Sequence, residues 1–570
     1  MNASAPGWSV LARGEAHDVI VIDVTGSGVE TARRNCSFAE LSRIIVDAPS
    51  THRWVWDDTP RWYPALLDAG IEVARCHDLR LCHAILRDSA LVTDAAALRD
   101  AQAWSAPADA GTADDALFAL DDDPRGVPDA PEEVIVEFAR QQAAVASACD
   151  PERLRLLLAA ESAGALVAAE LHAAGVPWHA PTHEAILAET LGERPRGTAL
   201  PSIVQSRADE VRAALGDPTA SLDSQPKLLR ALHRAGVPAR STSRWELAEY
   251  DHPAIAPLLV YKKLTRLLSA NGWNWLSEWA ADGRFRPTYV PGGVVTGRWA
   301  SSGGGALQLP RQLRPAVRAD PDWTLIVADV AQLEPRVLAA MAGDTALADA
   351  ARGTDLYEGI VAGGVVTTRQ EAKIALLGAM YGATTGDSGR LVPALRRAYP
   401  RAMALVDDAA RIGEEGGVVS TWLGRTSPPP SGRWRALQAQ ASDADAGADD
   451  DTAARRSARD RGRFTRNFVV QGTAAEWALA WLADLRTRLA ALPDVPPAEA
   501  AAASGPIFSR RAHLAFFLHD EIIVHAPRSQ AEDAAAIVRE SADRAARLLF
   551  GTFPIDFPLD LRITQDAAKD

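Results

Sequence analysis

The chain is poor in several things that would otherwise constrain it. Four cysteines in 570 residues, Cys36, Cys76, Cys82 and Cys149, make no disulfide framework, so a reducing cytoplasm is the expected compartment. The N-terminal stretch MNASAPGWSVLARGEAHD has neither the basic flank nor the apolar core of a secretory signal. No uninterrupted apolar run reaches membrane-spanning length, and no membrane partner is expected. Cations are in deficit: 60 Lys and Arg against 74 Asp and Glu leave a net charge of −14. That balance argues weakly against a nucleic-acid partner, although a local basic cleft is compatible with an acidic exterior. What is present, 47% hydrophobic and 24% charged residues, is the composition of a soluble globular protein, long enough for roughly three or four domains.

Along the chain, residues 1–105 alternate strand-like runs (Val19-Ile20-Val21-Ile22) with amphipathic helical stretches, the pattern of a small α/β domain. Within it, CHDLRLCH (Cys76 to His83) invites a metal-site reading, but no second ligand cluster lies nearby and a packed helix is expected. Residues 106–131 turn to Ala, Asp, Gly and Pro, which is linker chemistry. Residues 132–295 read as Ala- and Leu-rich helices. One of these carries Lys262, Lys263 and Arg266, cations that suit a phosphate backbone or equally a solvated face. Residues 296–570 hold the remaining motifs, interrupted at 427–461 by an acidic, Gly- and Pro-rich stretch expected to be an exposed, mobile loop.

Four stretches carry chemistry. In WTLIVADVAQLEPRVLAAMAGD (Trp323 to Asp344), a buried strand should end at Asp329 and a helix follow, with Leu333, Val337, Leu338 and Met341 on its inner face. A carboxylate at such a strand end is costly to desolvate unless a cation or donor meets it. In TTRQEAKIALLGAMYG, Thr367 and Thr368 with Gln370 and Glu371 form overlapping capping boxes. Arg369, Lys373, Leu377 and Tyr381 then recur every four residues, a stripe winding about 40° per step. Two cations, an apolar residue and a tyrosine suit a surface that holds a triphosphate at one end and a base at the other. Arg463, Asn467 and Gln471 repeat the spacing ahead of a largely apolar helix, which suggests a lined groove. Finally, HLAFFLHDEIIVHAP reads as a β-hairpin with His519-Asp520-Glu521 at a tip that lacks glycine. Asp329 and Asp520 together could bind paired hard cations through oxygen.

In that order, Thr296-Gly297-Arg298, the Asp329 stretch, the Arg369 helix, Gln471-Gly472-Thr473-Ala474 and His519-Asp520-Glu521 resemble the motifs of family A DNA polymerases, the bacterial DNA polymerase I type. The resemblance runs from about Glu132 to the C-terminus. It implies an α/β and α+β multidomain fold: a right-hand polymerase of thumb, palm and fingers behind a degenerate RNase H-like 3′–5′ exonuclease-type domain. The thumb would lie before Thr296, and a 5′-nuclease domain is expected to be absent. By resemblance, Asp329 and Asp520 are catalytic metal ligands for two Mg²⁺ ions, with Mn²⁺ as a substitute. Arg369 and Lys373 bind the triphosphate, Lys373 with a catalytic role. Glu334 crowds the 2′ side of the sugar, Tyr381 sits at the base of the nascent pair, and Gln332, Leu377 and His519 complete the nucleotide site. Arg298, Arg463, Asn467 and Gln471 contact DNA. The expected protein is a monomeric, nucleoid-associated cytoplasmic enzyme that uses dNTPs and primer–template DNA in replication or repair.

This chain departs from the family pattern in places. Val330-Ala331 replaces Tyr-Ser after the motif aspartate, Pro335 replaces an aliphatic residue, and Leu377 replaces an aromatic. None removes a charge, and Pro335 falls near the first turn of its helix, where proline is tolerated. Ile22-Asp23-Val24-Thr25, taken as the first strand of the exonuclease-type domain, has Thr25 where a nuclease needs glutamate, and no Tyr-x-x-x-Asp set follows, so lost proofreading is expected. The alternatives are an active bifunctional polymerase–exonuclease, a non-catalytic or weakly active DNA-binding relative, and a single-subunit RNA polymerase, against which Glu334 argues.

Overall fold

The computed structural model describes residues 7–14, 18–105, 126–197, 199–353, 355–382, 386–443 and 447–569. Most of the expected linker, 106–125, lies outside them. The chain divides into two compact units. One comprises Met1–Gly175, Pro287–Leu307 and Pro321–Thr564; the other Val176–Arg286, Gln308–Asp320 and Gln565–Asp570. These cuts do not follow the composition shifts near 132 and 296.

The first unit opens with strands β1 (Trp8–Arg13), β2 (Val19–Val24), β3 (Glu30–Cys36), β4 (Arg53–Trp56) and β5 (Cys76–Asp78). They form one sheet in the order β3-β2-β1-β4-β5. The pairs β2/β3 and β1/β2 are antiparallel, and β1/β4 and β4/β5 are parallel. The strand expected to come first is therefore the second. The apolar run of β1, Val10-Leu11-Ala12, is too short to stand out between Ser9 and Arg13, yet it is fully buried at the centre of the sheet. The Cys76–His83 stretch also differs from a single helix. Cys76, His77 and Asp78 are strand, and a helix starts at Leu79 because the Asp78 carboxylate accepts from the Leu81 N–H at 2.9 Å.

The helices Pro131–Ser147 and Pro151–Ala174, expected to open a helical domain, belong to this first unit. Phe138 reaches Trp8 of the sheet with ring centroids 5.2 Å apart, and the His77 and His83 rings bond Gln141 and Glu137 at 2.8 Å. Apolar burial and satisfied polar pairs join them to the sheet, which chain composition does not register.

The remainder of the unit is built on an antiparallel sheet of β6 (Trp323–Val330), β7 (His513–Leu518), β8 (Glu521–Pro527) and β9 (Leu559–Thr564), in the order β7-β8-β6-β9. The long helix Ala448–Ala490 and the helix Ala531–Phe550 pack together beside it, with Trp477 and Trp481 wholly buried. The stretch 427–461 is not the irregular loop its composition suggests. Gly432–Ala441 is a helix whose N-cap Ser431 accepts from Trp434 N–H at 3.2 Å, and the long helix already begins at Ala448. The two are tied by Gln438 to Ala454 O and by Gln440 to Asp450, both at 2.9 Å. Residues 444–446 between them lie outside the described set. The acids that read as disorder serve partly as helix caps and partners: Asp450 also accepts from Gly447 N–H at 3.0 Å.

The second unit is mainly helical, with Ala180–Leu191, Ser202–Leu215, Gln225–Arg234 and Ile255–Asn271. Trp178, His183, Trp275 and Phe285 form its aromatic centre, with ring separations of 4.9–5.7 Å.

Within the first unit one buried cation joins three layers. Arg486, on the long helix, binds the Glu170 carboxylate and donates to Val73 O and Ala74 O at 2.9 Å, while Tyr63 donates to Glu170 at 2.7 Å. Removing one member of a buried pair strands the other. Arg486→Met is expected to lower stability by about 3–5 kcal/mol, measured by urea unfolding; a change below about 1 kcal/mol would show that the network is not holding these layers.

Candidate active site

The site begins where β6 ends. Antiparallel pairing puts Asp329 directly opposite Glu521 of β8 on one side and Asp560 of β9 on the other. The β7–β8 connection is a tight turn in which His519 adopts a left-handed conformation (φ 57°) without glycine's freedom. Asp520 follows, and its carbonyl accepts from the Val330 N–H at 2.9 Å. That bond ties the hairpin tip to the end of β6, so the two motif aspartates sit at adjacent strand ends. Burial, then the charge of Asp329, pushes the Asp520 carboxyl up to about 6. A raised acid beside a second carboxylate, in a partly desolvated place, forms a platform for a cation.

After Asp329 the chain turns through Gln332, also left-handed (φ 48°), into the helix Leu333–Ala342. The turn is held from beneath by Arg336, which the sequence did not single out. Wholly buried, its guanidinium donates to the carbonyls of Ala331, Ala351, Gly353 and Asp556 at 2.6–3.1 Å. Gln332 accepts from Leu356 N–H at 3.2 Å. Glu334, one residue inside the helix, is gripped by Arg298 and by the Tyr381 hydroxyl, the latter at 2.5 Å.

Tyr381 ends the helix Arg369–Tyr381, which starts with the expected capping box of Thr368 and Glu371. At the other end Arg369 pairs with Asp355 at 2.7 Å and lies 5.5 Å from the Tyr357 ring centre. Neither of these partners stood out in the sequence; Asp355 is also the N-cap of the following short helix. Lys373 is exposed one turn on, and Leu377 is half-buried.

A cavity of about 230 Å³ joins these elements. Arg298, Gln332, Glu334, Leu377, Tyr381, His519 and Asp520 line it, together with Trp299, Tyr357 and Phe517. Asp329, Arg369 and Lys373 are not among its lining residues. Arg463, Asn467 and Gln471 lie outside it too, along the long helix: Arg463 is exposed and paired with Asp460, and Asn467 Oδ1 is buried without a hydrogen-bond partner. Lys262 and Lys263 belong to the other unit. There Lys262 donates to Thr242 O at 2.5 Å, so that cation is engaged locally, while Lys263 is exposed.

The Thr296–Arg298 loop is fixed by residues to which the sequence assigned no role. Gly297 has φ +86°, and a Cβ there would come within 2.5 Å of the Arg425 guanidinium. Arg425 bonds Glu161 at 2.6 Å, and the Thr421–Arg425 turn is held by the buried Glu476, which accepts from Thr421 and from Leu423 N–H at 2.9 Å. Trp422-Leu423-Gly424-Arg425 ahead of the Pro-rich run was the available signal for this support.

A family model described as DNA polymerase family A matches residues 229–565. The chain belongs to DNA polymerase family A. Among relatives of this polymerase-family chain, the thermostable DNA polymerase I of Thermus thermophilus is 26% identical over 403 residues, covering 63% of this chain and 43% of the relative. DNA polymerase I of Chloroflexus aurantiacus is 28% identical over 317 residues, 51% of this chain and 30% of the relative. The chain thus spans less than half the length of these relatives. The solved polymerase domain of Pol1 from M. smegmatis, in complex with DNA primer-template and dNTP, superposes with a TM-score of 0.67 at 16% identity, covering 99% of this chain and 96% of that one. The mixed helical and sheet fold is that of a family A polymerase domain.

The support beneath the loop is pH-sensitive. Burial pushes the Glu476 carboxyl up to about 7, against the opposing hydrogen bonds from Thr421 and Leu423. Below about pH 4.5 the group is protonated both folded and unfolded; as pH rises towards 7 the unfolded chain ionises first, so its contribution to stability falls. Glu476→Gln is therefore expected to gain about 3 kcal/mol on the parent between pH 4.5 and pH 8, read from urea unfolding of both proteins; a constant difference across that range would refute the assignment.

Proposed function

We propose that the protein extends a DNA primer by template-directed addition of deoxynucleotides, with release of pyrophosphate, in replication or repair. The observation that carries this reading is the cavity in which Arg298, Glu334, Leu377, Tyr381, His519 and Asp520 converge at one end of the Arg369–Tyr381 helix. The cationic residues Arg369 and Lys373 stand at the other end of the same helix. A nucleotide laid along it places sugar and base in the cavity and phosphates on the cations, which neutralise charge as the leaving group departs.

Each residue then has a physical task. Arg369 leaves its surface pair with Asp355 for the triphosphate, an exchange of one anion for a more highly charged one. Lys373, one turn away, reaches the same group as a point charge. Glu334, clamped by Arg298 and Tyr381, presents its side chain towards the sugar and leaves no room for a 2′-hydroxyl. Leu377 supplies apolar contact without the stacking an aromatic would give. His519 and Arg298 flank the pair, while Arg463, Asn467 and Gln471 run along the duplex. The unpartnered Asn467 Oδ1 is an acceptor suited to a donor on the nucleic acid.

Among the described residues, no group of three or more His, Cys, Asp or Glu gathers to hold a metal. Asp329 and Asp520 instead fit ions such as Mg²⁺ that take most ligands from substrate phosphates and water. When bound, two such ions would activate the primer hydroxyl and stabilise the leaving pyrophosphate.

For the N-terminal sheet we infer a proofreading-deficient exonuclease-type domain. The central β1 carries no carboxylate, and Asp23 on β2 is bonded by Ser9 Oγ at 2.5 Å and paired with Arg34 at 3.6 Å. No helix of the described residues is long and apolar enough to cross a membrane.

Primer extension tests the reading. With Mg²⁺ and dNTPs a labelled primer–template should be elongated, and Asp329→Ala should reduce the rate on the order of 10³-fold. Binding without extension would leave a non-catalytic DNA-binding protein, and primer shortening without nucleotides would overturn the inference about the N-terminal sheet. Glu334→Ala should raise incorporation of rNTPs relative to dNTPs by on the order of tenfold, for a contact worth roughly 1.4 kcal/mol. An unchanged ratio would remove Glu334 from sugar selection.

A further inference from the structure

The long helix carries a second feature that the nucleotide site leaves unused. Six arginines fall between Arg455 and Arg466, with Asp460 the one acid among them. Two have structural tasks. Arg461 donates to Gly417 O and Pro428 O at 2.7 and 3.1 Å, and Arg466 donates to Ala379 O at 2.6 Å and pairs with Asp407. The other four, Arg455, Arg456, Arg459 and Arg463, are exposed. Arg455 and Arg463 make only local surface pairs, with Asp451 and Asp460, of the kind that exchange readily for a phosphate.

At 100° per residue, Arg456 and Arg459 fall within about 40° of Arg463 on the helix circumference, and Asn467 lies a further 40° on. The stripe proposed to follow the duplex through Gln471, Asn467 and Arg463 therefore continues, on the same unbroken helix, for roughly 12 Å beyond Arg463. Beside this extension lies an open groove of about 770 Å³ between the long helix and the helix Gly432–Ala441. Arg433, Trp434 and Leu437 line it from one side, Arg456, Asp460 and Phe464 from the other. The Trp434 ring is half-buried, and its Nε1 is enclosed without a hydrogen-bond partner. Cations in a row, with an aromatic and an arginine plane at hand, are the chemistry that holds an unpaired strand: charges take the phosphates and flat groups take the unstacked bases.

We propose that the Arg455–Arg463 face and the Trp434 groove bind the single-stranded template beyond the point of synthesis. This rests on the polymerase reading, because only a templated enzyme presents an unpaired strand at that end of the stripe. A nearby duplex is a poorer occupant, since paired bases offer nothing to the groove. A protein ligand is a separate outcome, visible as an arginine face that nucleic acid does not use.

The test is equilibrium binding by fluorescence anisotropy, without Mg²⁺, to a primer–template with a 12-nucleotide unpaired 5′ template extension and to the same duplex made blunt. The parent is expected to prefer the extended substrate by on the order of tenfold, and Arg456→Ala/Arg459→Ala to bring the two affinities close to equal. The logarithmic salt slope on the extended substrate should fall by about 1.4, for two phosphate contacts to a single strand. Arg456→Glu/Arg459→Glu should invert the preference, while Arg352→Ala/Arg411→Ala, an equal charge change at exposed arginines elsewhere, should keep it. All these positions are exposed, so folding, checked by circular dichroism, is expected to be retained. A parent that binds both substrates alike, or a double variant with undiminished preference, overturns the proposal and leaves the polymerase reading standing. A parent that binds neither substrate overturns both.

Discussion

Two carboxylates at the ends of neighbouring strands are the constraint around which the first unit is organised. Asp329 and Asp520 come from stretches nearly two hundred residues apart in the chain, and burial together with the Asp329 charge makes Asp520 harder to ionise. Such a pair is unfavourable unless the surroundings prevent it from moving apart. The four-stranded sheet does so through register: Asp329 stands opposite Glu521, and the Asp520 carbonyl is bonded to the Val330 amide. A one-residue slip would carry every buried side chain of β6 to the opposite face, so the apolar core of the sheet also maintains the spacing of the charges.

The same logic recurs one layer out. Glu334 is held between Arg298 and Tyr381, which come from a loop and from the end of a helix. The loop is fixed by Gly297 seated on Arg425, which is fixed by Glu161, and the adjoining turn by Glu476. Glu334, Glu161 and Glu476 are each bonded by a group from another element, so none of these three is held by its own element alone. The networks are costly to desolvate, and their value lies in specifying one arrangement of loop, turn and helix.

Much of the site was legible as local chemistry. The strand ending at Asp329, the capped helix from Arg369 to Tyr381 and the hairpin around His519-Asp520 follow from apolar runs, capping residues and four-residue spacing, all short-range signals. The stretches that misled were those where short-range signals are ambiguous. β1 was hidden because its apolar run is only three residues, and burial on both faces, rather than alternation, makes it a strand. The acidic stretch before Arg461 read as a loop because acids lower mean hydropathy whether they are disordered or cap a helix, and only the hydrogen bonds of Ser431, Gln440 and Asp450 distinguish the two cases.

By itself, the sequence determined which chemical groups are available and their order: two aspartates, a cationic helix end, a glutamate near a helix start, a polar stripe on a long helix. Those depend on residue type and on periodicities of two and 3.6, which a linear chain displays. Tertiary structure alone decided which groups meet. It buried Arg336 beneath the turn after Asp329, paired Arg369 with Asp355, turned Lys262 to a backbone carbonyl, and joined the helices after 131 to the first sheet. Each of these contacts links groups well separated along the chain, and its energy comes from burial and from satisfied partners, quantities that no local window of sequence contains.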